Sequence, residues 1–372
     1  MKQQKEQRTN TKTICVICSM LLILGGVCTP QISSFFGHKA EETAGEQNTG
    51  RSGQSGERKN QDLHKEAEQK DYIKWVDFNV CTEALRSAYK YDVDTYGSEC
   101  HLDWIELLAY LAVKYGGDFS RYKAADLDVA AEKIQEQGIE VLTADMKYYP
   151  YYYEAYEAVL GGMVGEYEAD KEKKYGIKAF APIAKGFPYS HYDDFGASRS
   201  YGYHRNHLGH DLMGQVGTPI IAVESGYVAA MGWNQYGGWR IGINSFDGKR
   251  YYYYAHLRQN RPYAEGLKEG DIVTAGDVIG YMGRTGYSTK ENVNNIDVYH
   301  LHLGLQLIFD ESQREGANEI WIDLYPLVQF LSGNQSEVVR NDETKEWMRK
   351  WKMKDPAVEA YRERGEGQKK IP

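Results

Sequence analysis

Apolar and polar residues alternate with a period of two from 298 to 307. This predicts a strand with Tyr299, Leu301, Leu303, Leu305 and Leu307 on one face and His300, His302, Gly304 and Gln306 on the other. Such a strand is rigid, so the two imidazoles on its polar face are held by the core behind them. Further strand-like runs cover 220–230, 239–245 and 250–257, with Asp247-Gly248 as the turn between the last two, and 273–283 holds two short apolar pieces broken by Gly276 and Gly280. From Pro219 onward the pattern predicts an antiparallel all-β unit.

Upstream the period is helical. Trp104, Leu107, Leu108, Leu111 and Tyr115 form a stripe that stops at Gly116-Gly117. Leu127, Ala130, Ala131 and Ile134 form another that stops near Gly138, and a further short helix is expected over 155–164. The tyrosine-dense stretch 148–156 reads as core packing, with a carbohydrate-stacking surface as the alternative. Residues 38–71 have almost no apolar side chains and cannot offset their ordering entropy, so they read as a flexible tether. At the start, Lys2, Lys5, Arg8 and Lys12 precede an uncharged run over 13–37 whose apolar part is 14–27. This pattern reads as a retained membrane anchor, or alternatively a cleaved signal; either places the rest of the chain outside the membrane. After 333 the chain turns charged again, with one helix expected over 344–352.

The expected organisation is therefore multidomain: a cytoplasmic tip and membrane segment (1–37), a disordered linker (38–71), a small all-α domain (72–174), an all-β antiparallel domain (175–332) and a charged tail (333–372). The length of 372 residues exceeds what one hydrophobic core usually spans. A net charge of -9 argues against a nucleic-acid partner, which would need a basic face. Of five cysteines, Cys15, Cys18 and Cys28 lie in the membrane segment. Cys81 and Cys100 remain as either a disulfide or two separate thiols. With no CxxC outside the membrane segment, thiolate-bound zinc is not expected.

The histidines carry the chemistry, because six of the ten fall between His204 and His302. In His207-Leu208-Gly209-His210-Asp211, an imidazole and a carboxylate stand four residues apart across a glycine, so both can face one ion. Two nitrogens and one oxygen from His207, His302 and Asp211 suit zinc and leave one of its tetrahedral positions open. Peptide hydrolysis also needs proton carriers, for which His300 and His256 are available. His204 and His210 fall outside the pattern.

Taken in order, these pieces resemble the lysostaphin-like, LytM-type zinc peptidoglycan endopeptidases over about residues 201–307. The carrying motifs are His207-x-Gly209-x-Asp211, Gly217-Thr218-Pro219-Ile220 with Ala222 and Gly226-Tyr227-Val228, Tyr254-Ala255-His256-Leu257, the glycine-rich run from Gly276 to Thr289, and His300-Leu301-His302. The resemblance implies a compact antiparallel domain with an open groove. It also implies Zn2+ held by His207, Asp211 and His302, with His256 and His300 as catalytic histidines, and a peptidoglycan peptide as substrate. Two departures stand out: Asn244 occupies a position where many members have histidine, and 290–299 is longer and more polar than usual, as a groove wall would be. The expected reading is a single-pass or secreted zinc endopeptidase of the cell envelope, whose helical part spaces or docks an envelope partner. The alternative is a scaffold of the same fold that does no chemistry.

Overall fold

The computed structural model describes residues 72–200, 204–314 and 318–369. The expected membrane segment and linker lie outside these. Among the described residues no helix is long and apolar enough to cross a membrane.

Five helices open the described chain: Thr82–Thr95, Trp104–Tyr115, Ala124–Gln137, Ile139–Thr143 and Tyr149–Leu160. The second shows why the sequence signal was clear. Asp103 caps it by accepting from the backbone of Ile105 and Glu106, Leu107, Leu108 and Leu111 are buried, and Gly116 ends it in the left-handed conformation at φ 65°. The helix expected over 155–164 is displaced: it begins at Tyr149, where Pro150 suits the first turn, and stops before Gly161. The tyrosines of 148–156 divide between two surroundings, with Tyr156 buried edge-on to Phe78 while Tyr148 and Tyr153 are exposed. A hairpin, Val164–Ala169 with Glu172–Ile177, follows where helix was expected. Its turn uses Asp170 and Lys171 at positive φ instead of a glycine, so the usual hairpin signal is missing.

The expected antiparallel sheet is present. Its main path runs 272–273, 226–234, 238–245, 250–255, 300–307, 210–213 and 190–191, and strand 320–321 extends the free edge of 300–307. The run expected as one strand over 220–230 is two. Pro219–Ile221 pairs with Val278–Tyr281 in a separate ribbon, and Gly226–Asn234 joins the main sheet. Strand His300–Leu307 buries Leu301, Leu303, Leu305 and Leu307 as its period requires.

The tail holds a further correction. Residues 344–352 contain no helix; Val338–Arg340 pairs with Trp347–Arg349, and the helix comes later, at Pro356–Lys369. The Asn341 side chain accepts from the backbone of Glu343 and Thr344, and Lys345 sits at φ 62°, which together fold a turn inside the apparent helical period. Met353–Lys354 then adds a strand to the hairpin at 164–177.

A single hydrophobic cluster contains Leu107, Leu108 and Leu111 of the helices together with Ile243, Leu303 and Leu305 of the sheet. Cys81 and Cys100 are separate thiols.

Candidate metal centre and groove

Antiparallel register puts Asp211 directly opposite His302, and His302 opposite Ala255. Directly opposed residues share a face, so the carboxylate and the imidazole meet on the side of the sheet away from the core. His207 reaches the same point from the turn before strand 210–213. Its Nε2 lies 3.0 Å from Asp211 Oδ1 and 3.0 Å from His302 Nδ1, and that nitrogen is 2.9 Å from the same carboxylate oxygen. These three atoms make an almost equilateral triangle. A point about 2.0–2.1 Å from all three, the distance at which zinc takes nitrogen and oxygen, lies about 1 Å above its plane and leaves one side open. The triangle therefore has the dimensions of a three-ligand metal site.

The surroundings hold these atoms in the state a cation needs. His207 Nδ1 lies 3.2 Å from Asp194 Oδ2, so a proton held there leaves Nε2 with its lone pair facing the site. Arg199 bridges Asp194 and the outer oxygen of Asp211, lying 2.9 Å from Asp211 Oδ2 and leaving Oδ1 to face the imidazoles. Burial opposes ionisation of Asp211, but the facing His207 and His302 imidazoles outweigh it and hold the carboxyl well below the usual range. Burial also pushes His302 below an ordinary histidine, only partly offset by Asp211, so it is neutral at pH 7 and can donate a lone pair.

Gly209 sets the distance between the turn and the strand. A Cβ there would stand 2.5 Å from His302 Cε1 and 2.6 Å from its Nε2. Gly209→Ala is expected to displace His302 and weaken metal binding by about 10–100-fold, the range seen when a supporting group around a metal ligand is lost. Titration with zinc against a competing chelator checks this, and unchanged affinity would mean that the ring can move without consequence.

Two further imidazoles flank the triangle. The His300 ring donates through Nδ1 to Val298 O at 2.9 Å, and its Nε2 faces Asp211 Oδ1 at 3.9 Å. The His256 ring centre is 4.7 Å from that of His300, and its Nδ1 is 2.9 Å from Thr285 O. A carbonyl can only accept, so both Nδ1 atoms carry the proton and both Nε2 atoms are open. His256 sits at φ 62°, a conformation that costs a side-chain-bearing residue on the order of 1–3 kcal/mol. It is kept there by backbone bonds from His256 N to Gly237 O and from Gly283 N to His256 O. A glycine on the facing strand allows this close approach: a Cβ on Gly238 would stand 2.3 Å from the Thr285 carbonyl carbon. Burial, followed by the neighbouring His300 and His302, holds His256 far below the ordinary histidine value.

Thus the structure brings His207, Asp211, His302, His300 and His256 to one place. His210 is elsewhere: fully buried, with Nε2 2.7 Å from His191 Nδ1 and burial lowering it to about 3. Asp194, Arg199 and the Thr285 carbonyl had no sequence signal, because each acts through a contact that only the folded chain makes. Around the site runs a groove of about 590 Å³. Tyr287 and Ile296 contribute to its wall, and their segment is pinned where Asn292 Oδ1 accepts from Trp239 Nε1 at 2.9 Å and from Asn260 N at 2.8 Å.

Residues 205–313 match peptidase family M23. This part of the chain is a lysostaphin-like, LytM-type domain of that family. The chain is also similar to individual peptidases. It is 36% identical over 151 residues to the L-Ala–D-Glu endopeptidase of Bacillus subtilis (strain 168), covering 41% of this chain and 43% of that one. It is 40% identical over 90 residues to the glycyl-glycine endopeptidase ALE-1 of Staphylococcus capitis, covering 24% of each. The chain thus spans less than half the length of these relatives. Among solved structures, a protein from Ruminococcus gnavus ATCC 29149 named for LytM aligns with a TM-score of 0.48 at 25% identity, over 70% of this chain and 91% of that one. Where the M23 domain has Asn244 in place of histidine, its amide donates to Tyr227 Oη at 2.8 Å and accepts from Arg314 Nη1 at 3.2 Å.

Proposed function

We propose that this chain is a zinc-dependent endopeptidase that hydrolyses peptide cross-links of bacterial peptidoglycan at the cell envelope. The observation that carries the reading is the triangle of His207, Asp211 and His302 with two open imidazole nitrogens beside it. The named activities of the relatives, one on an L-Ala–D-Glu bond and the other on a glycyl-glycine bond, support the same substrate polymer. The basic and then apolar residues 1–37 support placement outside the membrane, whether the segment is kept as an anchor or removed.

His207, Asp211 and His302 would hold zinc. When bound, that ion supplies Lewis acidity toward a carbonyl and a water acidified to a pKa of about 7. The proton traffic belongs to the chain. His300, with Nδ1–H directed at Val298 O, presents Nε2 to take a proton from the attacking water. His256, fixed by Thr285 O, presents Nε2 to the oxyanion or the departing amine. Its burial and strained backbone keep the ring from turning away, so its reach is set before substrate arrives.

The full chain supplied with zinc should release new amino termini from purified cell walls, and chelation should stop this. His300→Ala should lower kcat by about 10²–10⁴-fold, the contribution typical of a positioned proton carrier, with zinc content unchanged. Zinc-loaded protein that leaves walls intact would overturn the proposal.

A further inference from the structure

We infer that the groove recognises a free carboxylate on the peptide, one or two residues from the bond that is cut. The inference rests on the endopeptidase reading and names its substrate class. The chain as a whole is acidic at -9, yet its groove is lined by Arg199, Arg205, Arg240 and Arg314 against only Asp211 and Glu319. Positive charge concentrated in the cleft of an acidic protein draws an anionic ligand to that cleft.

The four arginines are not equivalent. Arg199 is bound to Asp194 and Asp211, Arg314 to Glu311 and Asn244, and Arg205 lies 5.1 Å from the centre of the Tyr287 ring. Arg240 differs from these. Among the described residues no carboxylate pairs with it, and its Nε is buried without a hydrogen-bond partner. A half-buried guanidinium with an unmet donor is unfavourable on its own and is complemented by a carboxylate, which it can grip through two parallel bonds.

Position makes this a substrate contact. Ile241 and Ile243 of strand 238–245 point into the core, so Arg240 points to the groove, on the same face as Ala255 and His302. Strands are about 4.8 Å apart, which sets Arg240 about 10 Å from His302 along the rung and its guanidinium nearer still. An extended peptide advances about 3.3–3.6 Å per residue, so the matching carboxylate lies one or two residues from the metal centre. Further along the same face Tyr251 lies across Gly242, where a Cβ would stand 2.0 Å from the tyrosine oxygen. Arg240 and Arg314 both act on the Tyr251 hydroxyl, so the cationic strip continues along this face. A glycine-only bridge has no side-chain or branch carboxylate to offer such a strip. A stem peptide with D-Glu has one.

The test compares L-Ala-γ-D-Glu-L-Lys with the same tripeptide carrying a carboxamide in place of the D-Glu α-carboxylate. Binding to the zinc-supplied His300→Ala full chain is read by calorimetry, so no turnover is involved. The acid should bind about tenfold or more tighter, in the range of one charge-assisted hydrogen-bonded contact. Adding Arg240→Gln should bring the two affinities together by weakening the acid alone, and Arg240→Lys should restore part of the difference. Zinc content and thermal unfolding of each variant exclude misfolding, and Arg314→Gln gives a second, smaller loss on the same peptide. Equal affinities, or a preference that survives Arg240→Gln, would overturn the inference while leaving cleavage of cell walls as a separate result. Conversely, acid-selective binding with intact walls would uphold it and remove the endopeptidase reading.

Discussion

Replacing His302 with alanine is expected to leave the full chain without stoichiometric zinc and without measurable release of amino termini from cell walls, yet folded. His302 Nδ1 supplies one of three atoms that would hold the ion, at 3.0 and 2.9 Å from the other two. Loss of a supporting partner around a metal ligand costs about 10–100-fold in affinity, and loss of the ligand itself costs more. The strand does not depend on this ring. Leu301 and Leu303 on either side are buried in the core, and the backbone pairs with 250–255 and 210–213 whatever the side chain at 302. His302→Ala is therefore set against His300→Ala: the first should lose both metal and activity, the second activity alone. Metal content by elemental analysis, far-ultraviolet circular dichroism and the wall assay separate the two. A His302→Ala protein with full zinc would place the ion elsewhere, and one with a wild-type cell-wall phenotype would favour a scaffold.

How much of this was legible in the sequence depended on whether a residue's role was local. Strand His300–Leu307 could be read because one face is buried, so its pattern has to alternate, and His207-x-Gly209-x-Asp211 could be read because a turn brings its ends together within five residues. The helix Trp104–Tyr115 carried both of its ends in its sequence, Asp103 and Gly116. Where a turn was built without glycine, at Asp170-Lys171 and at Asn341–Lys345, the hairpins beside it were missed or taken for helix. The groups that steady the site were silent for a different reason. Arg199 and Asp194 come from a polar stretch with no period, and the Thr285 carbonyl is backbone, so neither changes the composition a reader sees. Arg240 was visible as a polar residue within a strand, but its unmet Nε emerges only when all its neighbours are known.

The largest effect on stability is expected far from the chemistry, at Arg250. This side chain is 2% exposed and grips Glu224 through two bonds, Nε to Oε2 at 2.8 Å and Nη2 to Oε1 at 2.9 Å. Nη2 also reaches Asp247 Oδ2 at 3.0 Å, and Nη1 donates to Ala158 O at 2.9 Å, in the last turn of helix Tyr149–Leu160. Such a carbonyl has no partner within its helix, and a cation is favoured at that end of the dipole. One guanidinium thus ties the helices to the sheet. Burial works against its charge, but Glu224 outweighs this and keeps it ionised. Arg250→Met should lower stability by about 3–5 kcal/mol, because it leaves the Glu224 carboxylate without its counter-ion and the helix end unsatisfied. Adding Glu224→Gln should recover part of that loss, since the stranded charge is removed and Tyr252 Oη, 2.9 Å from Glu224 Oε2, can still bond the amide. Denaturant unfolding of the two single variants and the double variant measures the coupling directly. A loss below about 1 kcal/mol for Arg250→Met would show that water reaches the pair, and the helices would then depend on apolar contact alone for their hold on the sheet.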